Sequence, residues 1–108
     1  MRYLLALDLK NDPEIIAEYD RMHQAVWSEV IDSLYESGIE EMEIYRIENR
    51  LVMIIETDAH FSFDKKGRLD AENPKVQEWE NMMWNYQQAL PTAQEGQKWL
   101  LMTRVFEL

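Results

Sequence analysis

Residues 41–57 have the sequence EMEIYRIENRLVMIIET, in which two apolar runs flank a short polar connection. The runs, 41–47 and 51–57, are of strand length and rich in residues that favour strands. The connection, residues 48–50, is short enough for a hairpin. The middle of the chain is therefore predicted to form an antiparallel pair of strands.

The region before this hairpin predicts one strand and one long helix. Residues 3–9 form an apolar run too short for a core helix, so we predict a strand there. Asp12 and Pro13 are typical of an N-cap and a first helical residue, and Gly38 after Ser37 is typical of a helix end. Between them, one stripe at helical spacing contains Ile15, Ile16, Tyr19, Met22, His23, Val26, Trp27, Val30, Ile31 and Leu34.

The region after the hairpin predicts a loop, a helix and a last strand. Residues 58–72 are charged and show no clear period, which indicates a loop with at most a helical turn. Asn73-Pro74 begins a helix that runs to about Leu90, where Pro91 stops it. Residues 99–108 are predicted to form the fourth strand.

The predicted order β-α-β-β-α-β is that of a ferredoxin-like α+β plait, with both helices on one face of an antiparallel sheet. In the first strand, however, Leu4 and Ala6 on one side are as apolar as Leu5 and Leu7 on the other. A sheet with one face in water would alternate more cleanly, so a partner's sheet or a ligand pocket is expected on the second face. We predict a two-fold symmetric homodimer, a dimeric α/β barrel.

The composition indicates a single globular domain over residues 1–108 and narrows its partners. Eleven Lys and Arg against 21 Asp and Glu give a net charge of −10, which disfavours nucleic acid and anionic lipid. The absence of cysteine excludes disulfides and thiolate chemistry and suits a reducing cytosol. Because no apolar run has the length of a signal core or a membrane span, we expect a cytoplasmic protein without a membrane partner.

Tyr19, His23 and Trp27 are four residues apart and therefore share one face of the predicted first helix. Packing explains most such stripes, and on that interpretation His23 lies at the edge of the core. On the functional interpretation, His23 moves protons near neutral pH beside the Tyr19 phenol and an aromatic surface. His60 lies in the irregular region, where a solvated position is expected.

The predicted second helix carries further candidates. Trp79, Met83 and Tyr86 keep the spacing of a core stripe, whereas Trp84 falls off it among amide side chains. Flat rings beside polar groups are typical of carbohydrate sites, so Trp84 lies either in a sugar pocket or in a dimer interface. Glu80, judged on its spacing alone, is a solvated carboxylate.

Motifs for common cofactors and metals are absent from the chain. It has no G-x-G-x-x-G, no Walker loop and no G-x-S-x-G, and neither H-E-x-x-H nor a close pair of histidines. We therefore expect any chemistry to proceed without a cofactor or a bound metal.

Residues 19–29, YDRMHQAVWSE, resemble the Y-x-x-x-H-x-x-x-W-x-E segment of the L-rhamnose mutarotase-like family. These are small dimeric ferredoxin-like enzymes that interconvert the anomers of 6-deoxy sugars. Gly38 to Tyr45 is similar to the family's G-x(6)-Y entry into the second strand, and residues 104–108 are similar to its E-V-F-x-L ending. The motifs are weak individually but fairly specific in this order and at these separations, and the resemblance covers nearly the whole chain.

The resemblance implies a set of site residues. Tyr19 and His23 match the family's site tyrosine and catalytic histidine. The implied sugar contacts are Trp79, Glu80, Met42 and Tyr45, with Trp84 as the alternative to Trp79. Met42 and Glu80 stand where the rhamnose enzyme has a second tyrosine and a second tryptophan, so L-fucose is expected at least as much as L-rhamnose.

Mutarotation needs a base for the anomeric hydroxyl and an acid for the ring oxygen, so that the ring opens and closes again on the other face. We expect His23 to be one of these groups, and Tyr19 or a water relayed by Glu80 to be the other. Trp79 would stack on the apolar face of the sugar. Two rival functions remain open: a noncatalytic dimeric binding module and a cofactor-free monooxygenase of the dimeric αβ-barrel type.

Overall fold

The computed structural model describes all 108 residues and contains one antiparallel sheet. Its strands are β1 (Arg2–Leu9), β2 (Ile39–Ile47), β3 (Arg50–Thr57), β4 (Gln87–Gln88) and β5 (Leu100–Leu101). The strand order is β2-β3-β1-β4, and β5 also pairs with β1. Because β3 occupies one edge of β1, the short strands β4 and β5 share the other edge and together form the fourth position. The predicted ferredoxin-like α+β plait is confirmed.

The central hairpin forms as predicted, with a turn of two residues. Glu48 and Asn49 connect the paired strands, and Glu48 adopts a φ of 51°. This left-handed conformation matches the twist that two-residue hairpin turns require. Beside the turn, Arg46 forms a bidentate ion pair with Asp20, with an Nη2–Oδ2 distance of 2.7 Å. This pair ties the first helix to the hairpin.

The prediction of one helix from Pro13 to Ser37 is wrong, because the structure divides this region into α1 (Pro13–Met22) and α2 (Ser28–Glu36). α1 begins as predicted, with the Asp12 side chain accepting hydrogen bonds from two backbone N–H groups. It ends at His23, whose ring nitrogen Nδ1 lies 2.9 Å from the Tyr19 carbonyl oxygen. The same carbonyl also accepts the backbone N–H of His23 at 3.2 Å, so the histidine side chain adds a second hydrogen bond at the end of the helix.

The break between α1 and α2 does not disturb the apolar pattern. Val26 and Trp27 lie in the irregular connection but still pack against the main core cluster. Hydrophobic periodicity therefore continues while the helical backbone does not. The end of α2 is as predicted: Gly38 has a φ of 101°, and a Cβ there would lie 2.7 Å from Asp58 Oδ1.

Two helices follow the hairpin. α3 (Phe63–Ala71) occupies the region predicted as a loop, and it escapes periodicity analysis because none of its residues is buried. α4 (Pro74–Met83) begins at Asn73 as predicted but ends well before Leu90. A turn after Met83 brings residues 87–88 back to the sheet, where they form β4.

The predicted fourth strand, residues 99–108, is only partly correct. Leu100 and Leu101 pair with β1, and the Met102 N–H donates to the Leu4 carbonyl at 2.8 Å. Beyond this point the chain forms no strand, and Val105 and Phe106 are 93% and 76% exposed. The apolar pattern of this segment therefore finds no partner within the chain.

The helices cover one face of the sheet only. That face holds the buried side chains of β1 and β3, which are Leu5, Leu7, Leu9, Leu51, Ile55 and Thr57. The opposite face carries Leu4, Ala6, Val52 and Ile54, which are half-buried, and Tyr45, which is exposed. No helix of the chain has the length and apolar character needed to cross a bilayer.

Candidate active site

A cavity of about 600 Å³ lies between the helices and the face of the sheet that they cover. All four helices and strands β1 to β4 contribute to its walls, which are mostly apolar. The cavity is lined by five of the site residues that were predicted from the sequence: Tyr19, His23, Met42, Trp79 and Glu80. The cavity thus combines an aromatic and aliphatic lining with a few polar groups, as small-ligand sites do.

The His23 imidazole is half-buried in the aromatic part of this cavity. Its ring centroid lies 4.1 Å from that of Tyr19 and 5.7 Å from that of Trp79, which it meets at 74°. Trp27 contacts Trp79 in turn, with centroids 5.1 Å apart. His23 is therefore neither sealed in the core nor free in solvent.

The hydrogen bond of His23 determines which ring nitrogen carries its proton. Nδ1 lies 2.9 Å from the Tyr19 carbonyl oxygen. A carbonyl oxygen can only accept, so in the neutral ring Nδ1 holds the hydrogen and Nε2 keeps its lone pair. Burial lowers the pKa of His23 below its ordinary value, and the hydrogen bond from Nδ1 only partly opposes this effect. At neutral pH the side chain is therefore an uncharged base.

Tyr19 lies beneath His23 with its phenol in the cavity wall. The residue is 3% exposed, and Oη makes no hydrogen bond of good geometry within the protein, although the Gln87 amide lies close to it. Burial raises the pKa of the phenol far above its ordinary value, Glu80 adds to the rise, and the neighbouring Gln87 amide opposes it. Tyr19 consequently stays protonated at all physiological pH values and can donate a hydrogen bond to a ligand.

Glu80 is held by a lysine that the sequence analysis did not identify. Lys98 Nζ lies 2.7 Å from Glu80 Oε2 and 3.0 Å from the Glu80 carbonyl oxygen. Burial lowers the pKa of Lys98, while the Glu80 carboxylate opposes the shift. Trp84 packs over the same ammonium group, 4.7 Å from its ring centroid. Glu80 is thus a positioned carboxylate at the cavity and not a freely solvated one.

The structure does not bring Tyr45 or Trp84, which were predicted as sugar contacts, to the cavity that holds the other predicted site residues. Side chains alternate along β2, and because Ile44 faces the cavity, Tyr45 faces the opposite side of the sheet. There its hydroxyl donates to Glu43 at 2.8 Å. Trp84 supports Lys98 and does not line the site.

Neither a metal site nor a second histidine is found near this cavity. No group of three His, Asp or Glu side chains in the chain lies close enough to hold a metal ion. His60 is exposed in the connection before α3, as the sequence predicts. The titratable side chains beside Trp79 in this cavity are those of Tyr19, His23 and Glu80.

The model of the L-rhamnose mutarotase family matches residues 2–108. The chain belongs to the L-rhamnose mutarotase family. It is 41% identical over 109 residues to an L-fucose mutarotase from Xanthomonas campestris pv. campestris, covering 99% of this chain and 87% of that protein. Membership makes this chain a sugar mutarotase, an isomerase that interconverts sugar anomers.

Solved structures agree with this mutarotase family in fold. An L-rhamnose mutarotase from Formosa agariphila superposes with a TM-score of 0.73 at 19% identity, covering 100% of this chain and 98% of that one. A dimeric ferredoxin-like protein from an uncultured marine organism gives a TM-score of 0.60 at 12% identity, and the match covers 99% of this chain and 96% of that one. At these identities the likeness concerns the fold alone.

Proposed function

We propose that this mutarotase acts on a 6-deoxy pyranose, with L-fucose preferred over L-rhamnose, by general acid and base catalysis from its own side chains. The observation that carries the proposal is the neutral His23 imidazole, with Nε2 unprotonated, in the wall of an aromatic cavity. A base of this kind functions near neutral pH without a metal or a cofactor.

In the proposed reaction, His23 Nε2 removes the proton from the anomeric hydroxyl while Tyr19 Oη gives a proton to the ring oxygen. The bond between C1 and the ring oxygen then breaks, the open-chain aldehyde rotates about C1–C2, and the reverse steps close the other anomer. A water held by the Glu80 carboxylate is the alternative acid. Trp79 and the aliphatic wall would accommodate the face of the sugar that carries the methyl group.

The preference for L-fucose is supported by the carboxylate at one side of the cavity. L-fucose and L-rhamnose differ in the orientation of their hydroxyls at C2 and C4. Glu80, held in place by Lys98, offers a carboxylate where the resemblance places an indole in the rhamnose enzyme. A hydrogen-bonding group in a site increases the affinity for a sugar whose hydroxyl is oriented toward it. It lowers the affinity for a sugar that leaves the group unpaired. The 41% identical relative is named as an L-fucose mutarotase, which agrees with this choice.

Exchange NMR on the anomeric protons tests the proposed substrate. We expect the protein to accelerate anomer exchange of L-fucose about tenfold more than that of L-rhamnose, and to leave D-glucose nearly unaffected. Equal or greater acceleration of L-rhamnose would contradict the substrate. Acceleration of none of these sugars would contradict the function and favour a binding module or a monooxygenase.

We further propose a cytoplasmic homodimer in which the uncovered face of the sheet packs against a second copy. Support comes from the half-buried Val52 and Ile54 on that face and from the exposed apolar residues of the last segment. Sedimentation equilibrium should give twice the 13.0 kDa mass of one chain. Ile54→Asp should sediment with the mass of one chain. Ala17→Asp, on the exposed side of α1, should keep the mass of the dimer. A wild-type chain that sediments as a monomer would contradict the dimer.

A further inference from the structure

Gln87 is a buried amide in a part of the structure that is otherwise apolar. It belongs to β4, pairs with Leu9 of β1, and faces the side of the sheet that the helices cover. The residue is 4% exposed and lines the same cavity as Tyr19 and His23. Nothing in the plait requires a polar side chain here, because the neighbouring Leu9 and Met83 form ordinary core.

The polar atoms of Gln87 and Tyr19 are not satisfied within the chain. Three buried side-chain atoms have no hydrogen-bond partner: Tyr19 Oη, Gln87 Oε1 and Thr57 Oγ1. Of these three residues, only Tyr19 and Gln87 line the cavity. A buried group without a partner destabilises a fold by about 1–3 kcal/mol. Gln87 and Tyr19 lie close enough to interact with each other, yet neither Tyr19 Oη nor Gln87 Oε1 has a partner of good geometry, so both atoms remain available to a ligand in the cavity.

We propose that the Gln87 amide binds a ring hydroxyl of the substrate beside the phenol of Tyr19 and thereby selects sugars that present a hydroxyl at that position. The inference rests on the proposed function. An amide can donate and accept hydrogen bonds, as a sugar hydroxyl can, but it does not transfer protons at neutral pH. Gln87 therefore contributes to binding and specificity, whereas His23 and Tyr19 carry the chemistry.

The test uses Gln87→Leu, with Gln88→Leu as the matched control. Gln88 is the adjacent residue of β4, is exposed, and faces the opposite side of the sheet. The dissociation constant of L-fucose is measured by tryptophan fluorescence, and the exchange rate at saturation by NMR. We expect Gln87→Leu to weaken L-fucose binding about tenfold, with the saturated rate changed by less than about twofold. Gln88→Leu should match the wild type in both measurements.

Three monodeoxy analogues of L-fucose, lacking the hydroxyl at C2, C3 or C4, identify the contact. For one of them, wild type and Gln87→Leu should bind equally, because the interaction that the variant lacks is already missing. If Gln87→Leu fails to fold in a urea titration, Gln87→Met serves in its place.

Two different failures are distinguishable in this design. If the wild type binds and isomerises L-fucose while Gln87→Leu binds it equally well, or loses affinity equally for all three analogues, the inference is wrong and the function stands. If the wild type neither binds nor isomerises any sugar, the proposed function and this inference fall together.

Discussion

His23→Asn is expected to slow the exchange of L-fucose anomers by about 10²- to 10⁴-fold, the usual contribution of a general base. The asparagine amide can take the place of Nδ1–H in the hydrogen bond to the Tyr19 carbonyl, so the end of α1 should be preserved. What the variant lacks is a basic nitrogen at the position of Nε2. The loss should appear in the exchange rate at saturating sugar, measured by NMR.

His60→Asn is the matched control for this variant, because it makes the same change at the other histidine of the chain. His60 is exposed and lies outside the cavity, so the exchange rate of His60→Asn should equal that of the wild type. His23→Ala removes both the base and the hydrogen bond and should be at least as slow. A folded His23→Asn variant within about twofold of the wild-type rate would remove His23 from the mechanism.

Tyr19→Phe is expected to have opposite effects on activity and stability. Because Tyr19 Oη is buried without a partner, removing it should raise the free energy of unfolding by about 1 kcal/mol. The same change removes the proposed proton donor for the ring oxygen and should slow exchange by about 10²-fold. Urea unfolding and exchange NMR on the same sample measure the two effects.

Tyr45→Phe controls for the loss of a phenol elsewhere in the chain. Tyr45 is 56% exposed on the face of the sheet away from the cavity. In Tyr45→Phe, neither the free energy of unfolding nor the exchange rate should show the change expected for Tyr19→Phe. If Tyr19→Phe exchanges L-fucose at the wild-type rate, Tyr19 is not the acid, and the proposed water held by Glu80 becomes the candidate for that role. A destabilised Tyr19→Phe would show that the phenol is satisfied in the folded protein.

The fold could be predicted from the sequence wherever local signals agreed with the tertiary structure. The hairpin at residues 41–57 has both strand patterns and a short connection, and Asp12, Gly38 and Asn73 mark helix ends by their chemistry. The break at His23 could not be predicted, since the residues that follow it keep their apolar side chains on the core. The helix α3 was missed because it buries none of its residues.

The candidate site was predictable only within single elements. Tyr19 and His23 are four residues apart on α1, so spacing alone predicted their contact. Gln87 reaches the cavity, and Lys98 reaches Glu80, because the chain reverses after α4, and no local sequence pattern indicates such contacts. Tyr45 was included on the basis of a family motif, whereas the alternation of side chains along β2 places it on the face opposite to Ile44 and the cavity.

The pH dependence of L-fucose exchange, measured side by side on the wild type and His23→Asn, tests most directly whether an uncharged imidazole is the base. Burial lowers the pKa of His23 below its ordinary value, so the ring is neutral at neutral pH and becomes protonated only in more acidic solution. We expect the wild-type rate to be constant around neutral pH and to fall as the pH drops through the lowered pKa, while the variant shows no such inflection. A wild-type rate that falls as the pH rises through this range, or the same inflection in both proteins, would contradict the account.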